Sequence, residues 1–422
     1  MIYVGLVIVI ITFVAIIKKV ETRMCLMIAG FIMAILAMNP MAAVTAFVKA
    51  MTNSLVETIC ATMGFAMVMK MTHCDEHMVK ILTTALKKVP AILIPGAVLV
   101  TWLINIALVS AAGCSAAVGA ILIPALIKSG VYPAMAAAAV FGGTFGSVLS
   151  PGNPHNVYVS KLMIDAGKAN GSVMEIIGIL VIPAAVAAVI VAIGVTITSR
   201  LRKEATGYVP AGETEEEEAF KPNFIMAITP VIPLIILILA TQQVGVLPKQ
   251  FQSIPLAMLI GCLIGTVVTK TNPGEIVKDF WKGAGNAYGS VMGLIICASV
   301  FTAGMTAIGL TGSLIEFMKH SQSIAKFAGG FGSFIIAVLA GSGDAATLAF
   351  NGAITPHAEE FGMVMSKLGS VSNISGALGR SCSPVAAACI VCAGIAGVSP
   401  MEITKRNFPV MLVVVCVVLV LL

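Results

Sequence analysis

Charged residues are scarce in this sequence. They make up 10% of its 422 residues, whereas about a quarter is typical of soluble domains. The chain contains no HExxH motif and no Walker loop, which argues against a metalloprotease and an ATP-driven pump. Its ten cysteines are scattered, and the Cys389-Cys392 pair lacks the further ligands that a metal site needs. These absences exclude a soluble enzyme, a nucleic-acid binder and a secreted disulfide protein, and they predict no resident cofactor or metal.

Apolar residues are abundant instead. They make up 59% of the chain, and the mean hydropathy is +1.04. They run in blocks of the length needed to cross a bilayer. The blocks lie at about 2–17, 24–38, 54–71, 91–110, 114–127, 133–149, 172–198, 223–241, 252–269, 287–310, 328–341, 345–356, 366–396 and 407–422. This pattern predicts an all-α, multi-pass membrane protein.

The two halves of the chain share a register at an offset of 233 positions. The Asn-Pro pair at 39–40 recurs at 272–273, and the pattern G-x-x-G-x-x-x-S-P at 143–151 recurs at 376–384. The only long polar stretch, 199–222, separates the halves. Repeats of this size in a membrane protein suggest a secondary transporter with inverted halves around a midplane site.

Inverted halves must each cross the membrane an odd number of times. We therefore predict a first repeat at 1–198 with a re-entrant hairpin at 91–127, and a second at 223–422 with a hairpin at 328–356. The hairpin tips are expected at Gly113-Cys114-Ser115 and at Gly341–Asp344. Five spans then remain in each repeat, ten in all.

The distribution of basic residues sets the predicted orientation. With the N-terminus outside, 17 lysines and arginines fall in inside segments and six fall outside, which agrees with the positive-inside rule. The 199–222 linker, with its Glu215–Glu218 run, is then a solvated cytoplasmic segment, and both termini are external.

Glycine and proline interrupt one apolar helix in each repeat, at 133–165 and at 366–396. Backbone at membrane depth must be hydrogen-bonded or line a wet cavity, so such breaks mark places that bind something. Helix N-termini there favour anions, and free carbonyls can hold a cation. For a coupling cation, H⁺ or Na⁺, the candidates are Asp344 and the tip glycines Gly113 and Gly343.

Arg380 is the most informative polar residue because it lies inside an apolar block. Burying an arginine costs several kcal/mol unless it is paired. Its guanidinium matches a carboxylate through two parallel hydrogen bonds. The alternatives are a structural ion pair, for example with Asp344, or extension of the side chain to the membrane surface.

Other polar side chains lie on the same elements. Asp344 is a proton or Na⁺ site, and His155 is a weaker candidate for a proton relay. Gly-x-Gly-Asp also occurs in intramembrane aspartyl proteases, but these need two facing aspartates. The remaining candidate solute ligands supply hydroxyl or amide groups; they are Ser115, Ser150, Asn153, Asn156, Thr347, Ser381 and Ser383.

Segments 113–156 and 374–400 resemble the DcuC-type anaerobic C4-dicarboxylate carriers of the ion transporter superfamily. The resemblance extends over nearly the whole chain, and the two Ser-Pro breaks are its most specific part. It implies secondary active transport of fumarate, succinate and malate by ion-coupled uptake, exchange or efflux. It also implies a homodimer in the bacterial inner membrane.

The hairpin tips depart from a neighbouring branch of that superfamily. That branch has Ser-Asn-Thr at both tips, whereas this chain has Gly-Cys-Ser and Gly-Asp-Ala, so that ligand pattern is not transferred. A carrier of an amino acid or a short monocarboxylate on the same fold is the alternative. A cationic solute would need two or more carboxylates, and only Asp344 is available.

Overall fold

The structure is a computed structural model. It describes residues 1–18, 20–52, 55–87, 92–168, 171–209, 221–241, 244–318 and 322–422. All regular secondary structure in these ranges is helical, which confirms the predicted all-α class. The composition explains this result, because a helix satisfies its backbone hydrogen bonds within one segment and can therefore lie in hydrocarbon.

The first half of the chain forms ten α-helices. They are α1 (Ile2–Ile17), α2 (Thr22–Leu36), α3 (Pro40–Met51), α4 (Leu55–Met71), α5 (Cys74–Lys87), α6 (Leu93–Ala107), α7 (Ala111–Lys128), α8 (Pro133–Gly142), α9 (Pro154–Asp165) and α10 (Val173–Leu201). A short 3₁₀ turn, Gly146–Leu149, lies in the break between α8 and α9.

The second half forms twelve α-helices within the described ranges. They are α11 (Phe224–Ile228), α12 (Ile232–Leu239), α13 (Ile254–Thr269), α14 (Pro273–Ala287), α15 (Gly293–Ala307), α16 (Leu310–Met318), α17 (Gln322–Phe327), α18 (Ser333–Ala340), α19 (Asp344–Ala353), α20 (Met365–Arg380), α21 (Ala387–Ala396) and α22 (Pro400–Leu421). Single π-turns join α14 to α15 and α17 to α18.

Helix boundaries recur at the offset seen in the sequence. Helix starts that lie 233 positions apart are Pro40 and Pro273, Ala111 and Asp344, and Pro154 and Ala387. Equivalent helices also exchange packing partners, since α2 packs on α15 and α13 on α4. This agreement supports the repeat, while its inversion across the membrane stays a prediction.

The two broken helices lie at the centre of the molecule. Every residue of α8 from Ala134 to Gly142 is buried, and so are most residues of α20. By contrast, α1 exposes large apolar side chains along its length, as a lipid-facing helix does. The halves meet closely where α2 crosses α15, and a Cβ on Gly30 would lie 2.6 Å from the carbonyl oxygen of Val300.

Among the described residues, six helical segments are long and apolar enough to cross a membrane. They are Ala111–Lys128, Pro133–Asp165, Val173–Leu201, Pro273–Ala307, Ser323–Ala340 and Pro400–Leu421, and the bent pair α3–α4 would make a seventh. Several other apolar helices, among them α1 and α2, have 10–17 residues. The ten predicted spans therefore stay a prediction. The apolar block at 114–127 was predicted to be too short to span the membrane comfortably. Helix α7, which contains it, has 18 residues and is long enough to cross a membrane.

Helices α3 and α14 fall where the sequence pattern indicated loops. Both are amphipathic; α14, for example, buries Ile276, Gly283, Ala284 and Ala287 on one face. Each begins at the repeated Asn-Pro pair, with proline in the first turn. A search for continuous apolar blocks misses α14 because polar residues are interspersed along it, and it misses α3 because Thr45 and Lys49 interrupt a short apolar run.

The tip of the first hairpin lies earlier than predicted. Helix α6 ends at Ala107 and α7 begins at Ala111, so the turn spans 108–110 and the predicted tip residues, 113–115, belong to α7. The Ser110 side chain accepts a hydrogen bond from the Gly113 N–H at 3.2 Å, which starts the helix there. The hairpin's predicted first residue, 91, lies outside the described residues.

The first part of the predicted linker is largely exposed and contacts the rest of the chain at Glu204 and Tyr208. Helix α10 continues to Leu201, and the Arg406 Nε donates to the Glu204 carboxylate at 2.7 Å. The Tyr208 N–H also donates to the Gly130 carbonyl at 2.9 Å. Residues 215–218, the acidic run, lie outside the described residues.

Candidate functional site

A pocket lies where the α8–α9 break meets the N-terminus of α19 and the C-terminal half of α20. The empty space between these elements is about 280 Å³, which includes space open to solvent. It is lined by Ser147, Val148, Asn153, His155, Gly343, Asp344, Thr347, Asn373, Gly376, Ala377 and Arg380. Both halves of the chain therefore contribute to one polar pocket.

The glycine-rich tip of the second hairpin places Asp344 in this pocket. Gly341 ends α18 with φ +76°, a left-handed conformation that glycine adopts without strain. A Cβ on Gly343 would lie 2.8 Å from the Gly376 carbonyl oxygen, so the tip packs directly on the α20 backbone. The Asp344 N–H donates to the Ser342 hydroxyl at 3.2 Å. These contacts hold the start of α19 against α20.

His155 is the partner of Asp344. Its Nε2 lies 2.9 Å from the Asp344 Oδ1, although the two residues are 189 positions apart and belong to different halves. Pro154 occupies the first turn of α9, and the Asn153 side chain accepts from the His155 N–H at 2.9 Å. The cap thus fixes the histidine backbone. The Asp344 side chain is 49% exposed and that of His155 16%, so the carboxylate opens into the pocket.

Arg380, at the last turn of α20, is partly buried and has no carboxylate partner among the described residues. Its Nη2 donates to the Thr144 carbonyl at 2.9 Å, and its Nε has no hydrogen-bond partner among the described residues. No ion pair within 4 Å joins it to Asp344 in the described part of the chain. The guanidinium therefore stays in the pocket wall rather than in the ion pair that the sequence left open as an alternative.

A second intrahelical arginine, Arg406, contrasts with Arg380. It lies in α22, is 6% exposed, and pairs with the Glu204 and Glu402 carboxylates. In the sequence Arg406 directly precedes the last apolar block, 407–422, so the sequence predicted it in a segment on the inner side of the membrane. Buried arginines are normally neutralised in this way. The missing carboxylate at Arg380 is thus specific to the pocket.

A chain of buried asparagines links the pocket wall to both halves. The Asn351 Nδ2 donates to the Asn373 Oδ1 at 2.8 Å, and the Asn373 Nδ2 donates to the Asn156 Oδ1 at 3.2 Å. The Asn156 Nδ2 in turn donates to the Val148 carbonyl at 2.7 Å. Asn156, predicted as a solute ligand, instead holds the first break in shape.

Four of the five predicted hydroxyl ligands lie away from the pocket lining. Ser383 donates to the Val338 carbonyl at 2.6 Å, and the Ser381 Oγ lies 3.2 Å from the Thr144 Oγ1. Ser115 lies beside the Cys392 thiol. Ser150 is buried. These four residues and Gly113 are not among those lining the pocket, which Asn153 and Thr347 do line.

Five lining residues were not predicted as ligands: Ser147, Val148, Asn373, Gly376 and Ala377. Ser147 is the repeat counterpart of Arg380, so the register already placed it at the break. Asn373 precedes Arg380 by seven positions on α20, so both lie on the same face of the helix. This spacing is the signal by which the sequence could have indicated Asn373 as a lining residue. Small residues at 376 and 377 leave room beside the guanidinium.

The first hairpin reaches the pocket indirectly. The Asn105 Nδ2 donates to the Leu108 carbonyl at 2.8 Å, and its Oδ1 accepts from the Ser147 N–H at 2.8 Å. Its counterpart at the 233 offset, Val338, accepts from Ser383 across the second break. The same position therefore ties hairpin to break in each half.

Comparison with protein families places the whole chain in one group. Residues 2–422 match the model of the DcuC family, described as C4-dicarboxylate anaerobic carriers. A probable anaerobic C4-dicarboxylate transporter DcuC of Vibrio cholerae is 26% identical over 84% of this chain and 79% of its own length. A putative uncharacterized transporter of Haemophilus influenzae is 44% identical over 46% of this chain and 70% of its own length.

Two solved transporter structures share the fold. The YdaH transporter of Alcanivorax borkumensis aligns with a TM-score of 0.58 at 15% identity, over 90% of this chain and 86% of its own. MtrF of Neisseria gonorrhoeae, described among antimetabolite efflux pumps, aligns at 0.57 and 12% identity over 90% of this chain and 82% of its own. At such identities the likeness concerns the fold alone. With the apolar helices, these comparisons confirm a multi-pass membrane protein with a transporter fold.

Proposed function

The chain belongs to the DcuC family of anaerobic C4-dicarboxylate carriers, and we propose that it is a proton-coupled carrier of succinate, fumarate and malate. The observation that carries this proposal is the pocket itself. It contains one arginine without a carboxylate partner and, on the opposite element, a histidine–aspartate pair. Arg380 binds one substrate carboxylate, and the His155–Asp344 pair takes up the coupling proton.

Arg380 suits a carboxylate because of its free donor edge. A guanidinium binds a carboxylate through two parallel hydrogen bonds. Its Nε has no partner among the described residues, while one Nη2 bond to Thr144 fixes the plane of the group. Asn153, Thr347 and Asn373 line the same pocket and supply amide and hydroxyl groups for the second carboxylate.

The charge balance of the pocket requires protons. Arg380 contributes one positive and Asp344 one negative charge, so a dicarboxylate would add two uncompensated negative charges to a buried site. Such charges are very costly at low dielectric. Two protons, one on Asp344 and one on His155, make the loaded pocket neutral. The carrier is therefore proposed to move two protons with each dicarboxylate.

The partner of Asp344 favours H⁺ over Na⁺. An imidazole nitrogen occupies one carboxylate oxygen at 2.9 Å, and imidazole is a proton acceptor near neutral pH. The pair is thus built for proton transfer.

The repeat supplies the transport cycle. We propose that the halves are inverted and that the hairpins and broken helices rock around the pocket, so that it opens to each side in turn. The proposal includes the cytoplasmic membrane of a bacterium and a homodimer, both implied by the family resemblance. The lining residues offer one aspartate, facing His155, so the paired aspartates of an intramembrane protease are not present there.

Counterflow in proteoliposomes tests the substrate class. Liposomes preloaded with unlabelled succinate should accumulate labelled succinate, and external fumarate or malate should compete. Acetate, butyrate and arginine at the same concentration should compete far less. Competition by a monocarboxylate or an amino acid equal to that by fumarate would contradict the proposal.

A further inference from the structure

One face of α20 carries polar or small residues from its first turn to the pocket. Ser366, Ser370, Asn373, Ala377 and Arg380 follow one another at spacings of three or four positions, so they lie on one side of the helix. The last three line the pocket. The face extends over 14 positions, which is about 21 Å along the axis.

Two hydroxyl groups on this face are buried and unpartnered. Ser366 is 1% exposed and Ser370 is fully buried, yet neither Oγ has a hydrogen-bond partner among the described residues. Serines in a helix usually satisfy themselves by bonding to the carbonyl four residues back. Two orphaned hydroxyls one turn apart are therefore unusual, because each buried polar group without a partner costs about 1–3 kcal/mol.

A carboxylate stands at the outer end of this face. Glu175, in the first turn of α10, faces the Ser366 hydroxyl. Its Oε2 is buried and has no hydrogen-bond partner in the described part of the chain. A bridging water can join two polar atoms that face each other without a direct hydrogen bond. Helix α10 packs on α20, and its buried residues from Ile176 to Val195 are apolar, so the polar groups of the seam between these helices come from α20.

The inner end of the face joins the proton site of the pocket. Asn373 is hydrogen-bonded to Asn156 on the first break, and the pocket that both breaks enclose contains His155 and Asp344. On another side of α20, Ser372 bonds to Ser333 on α18 at 2.7 Å. The unpartnered hydroxyls of Ser366 and Ser370 lie along the seam that leads from Glu175 to the pocket.

We propose that Glu175, Ser366 and Ser370, with intervening waters, form the route by which protons reach the His155–Asp344 pair. This inference rests on the proposed proton coupling. A proton enters from bulk water at Glu175. Each hydroxyl or water then accepts one proton and releases another, and the last transfer delivers a proton to His155 or Asp344. Under the predicted topology the mouth of the route lies on the outer face.

An isosteric pair of substitutions at Ser370 tests the route. Ser370→Val removes the hydroxyl, whereas Ser370→Thr has the same shape and keeps it. In proteoliposomes the valine variant should slow succinate accumulation driven by an imposed proton gradient by about 100-fold, the low end for loss of a proton-transfer group. The threonine variant should stay near the wild type. Succinate counterflow, which needs no net proton movement, should be unchanged in both.

Ser375 provides the matched control. It is also fully buried on α20 with an unpartnered hydroxyl, but it lies on the opposite face of the helix. Ser375→Ala should leave gradient-driven accumulation intact, while the double variant Ser366→Ala, Ser370→Ala, which adds no bulk, should slow it. Equal rates in the Ser370→Val and Ser370→Thr proteins, or an equal loss in Ser375→Ala, would overturn the route. If the wild type itself moves no protons with succinate, the proposed coupling fails instead.

Discussion

Replacement of Arg380 by lysine separates its charge from its geometry. In the protein, Nη2 donates to the Thr144 carbonyl at 2.9 Å and Nε is buried without a partner. A bound carboxylate would use Nε and a neighbouring Nη in parallel, and a lysine ammonium can supply only one of these bonds in the same direction. The loss of one hydrogen bond to a charged group is about 1.5–3 kcal/mol.

That free energy corresponds to a roughly 10- to 150-fold weaker Kd for succinate. Isothermal titration of the purified Arg380→Lys protein would measure it. Arg380→Ala should abolish succinate binding and transport while the protein still inserts, and any monocarboxylate that binds should be affected less. Arg406→Lys is the control, because Arg406 already pairs with Glu204 and Glu402. This variant should lower the Tm and leave the Kd unchanged.

Wild-type affinity for succinate in a folded Arg380→Ala protein would refute the reasoning. The guanidinium would then stabilise the Thr144 break alone, and the pocket would have lost its one full positive charge without consequence. The case for an anionic substrate would weaken with it. A monodisperse elution profile and a Tm close to that of the wild type establish that the variant is folded.

Two further predictions concern orientation and the first part of the linker. With the linker cytoplasmic, an impermeant thiol reagent added outside to a cysteine-free protein should label a cysteine at Ser253 and miss one at Thr206; the reverse pattern would overturn the topology. Glu204→Gln should destabilise the protein by up to about 3–5 kcal/mol, because it leaves Arg406 buried with one partner fewer, and thermal unfolding would measure the loss. Glu402→Gln should lower the Tm much less, because this side chain is 41% exposed and solvent screens its ion pair; equal effects would contradict this account.

The positions of the breaks could be predicted from the sequence because proline and glycine interrupt a helix through their local backbone geometry. The same pattern also recurs 233 positions later in the chain. Pro154 and Ala387 begin helices at the same offset, and the Gly341 turn follows from its left-handed backbone. These features depend on a few neighbouring residues. They can be recognised without knowing what lies across the fold.

The contacts of the site could not be predicted in the same way. His155 meets Asp344 across 189 positions, and nothing local to either residue indicates the pairing. Ser381, Ser383 and Asn156 looked like solute ligands because they are polar and lie at the breaks. Asn156 instead bonds to the Val148 carbonyl that the first break leaves free. Ser381 and Ser383 bond to the Thr144 hydroxyl and the Val338 carbonyl.

Substitution of Asp344 isolates the coupling step from solute binding. Asp344→Asn keeps the size of the side chain and its contact with His155, but the side chain can no longer gain and lose a proton. This variant should lose gradient-driven accumulation of succinate and retain counterflow. Unchanged accumulation would mean that Asp344 only holds His155 in place.

Simultaneous recording of labelled succinate uptake and internal pH in proteoliposomes tests the central claim most directly. The account predicts that about two protons enter with each succinate, since two are needed to neutralise the loaded pocket, and that replacing Na⁺ by K⁺ changes nothing. Succinate uptake without proton entry, or uptake that requires Na⁺, would contradict it.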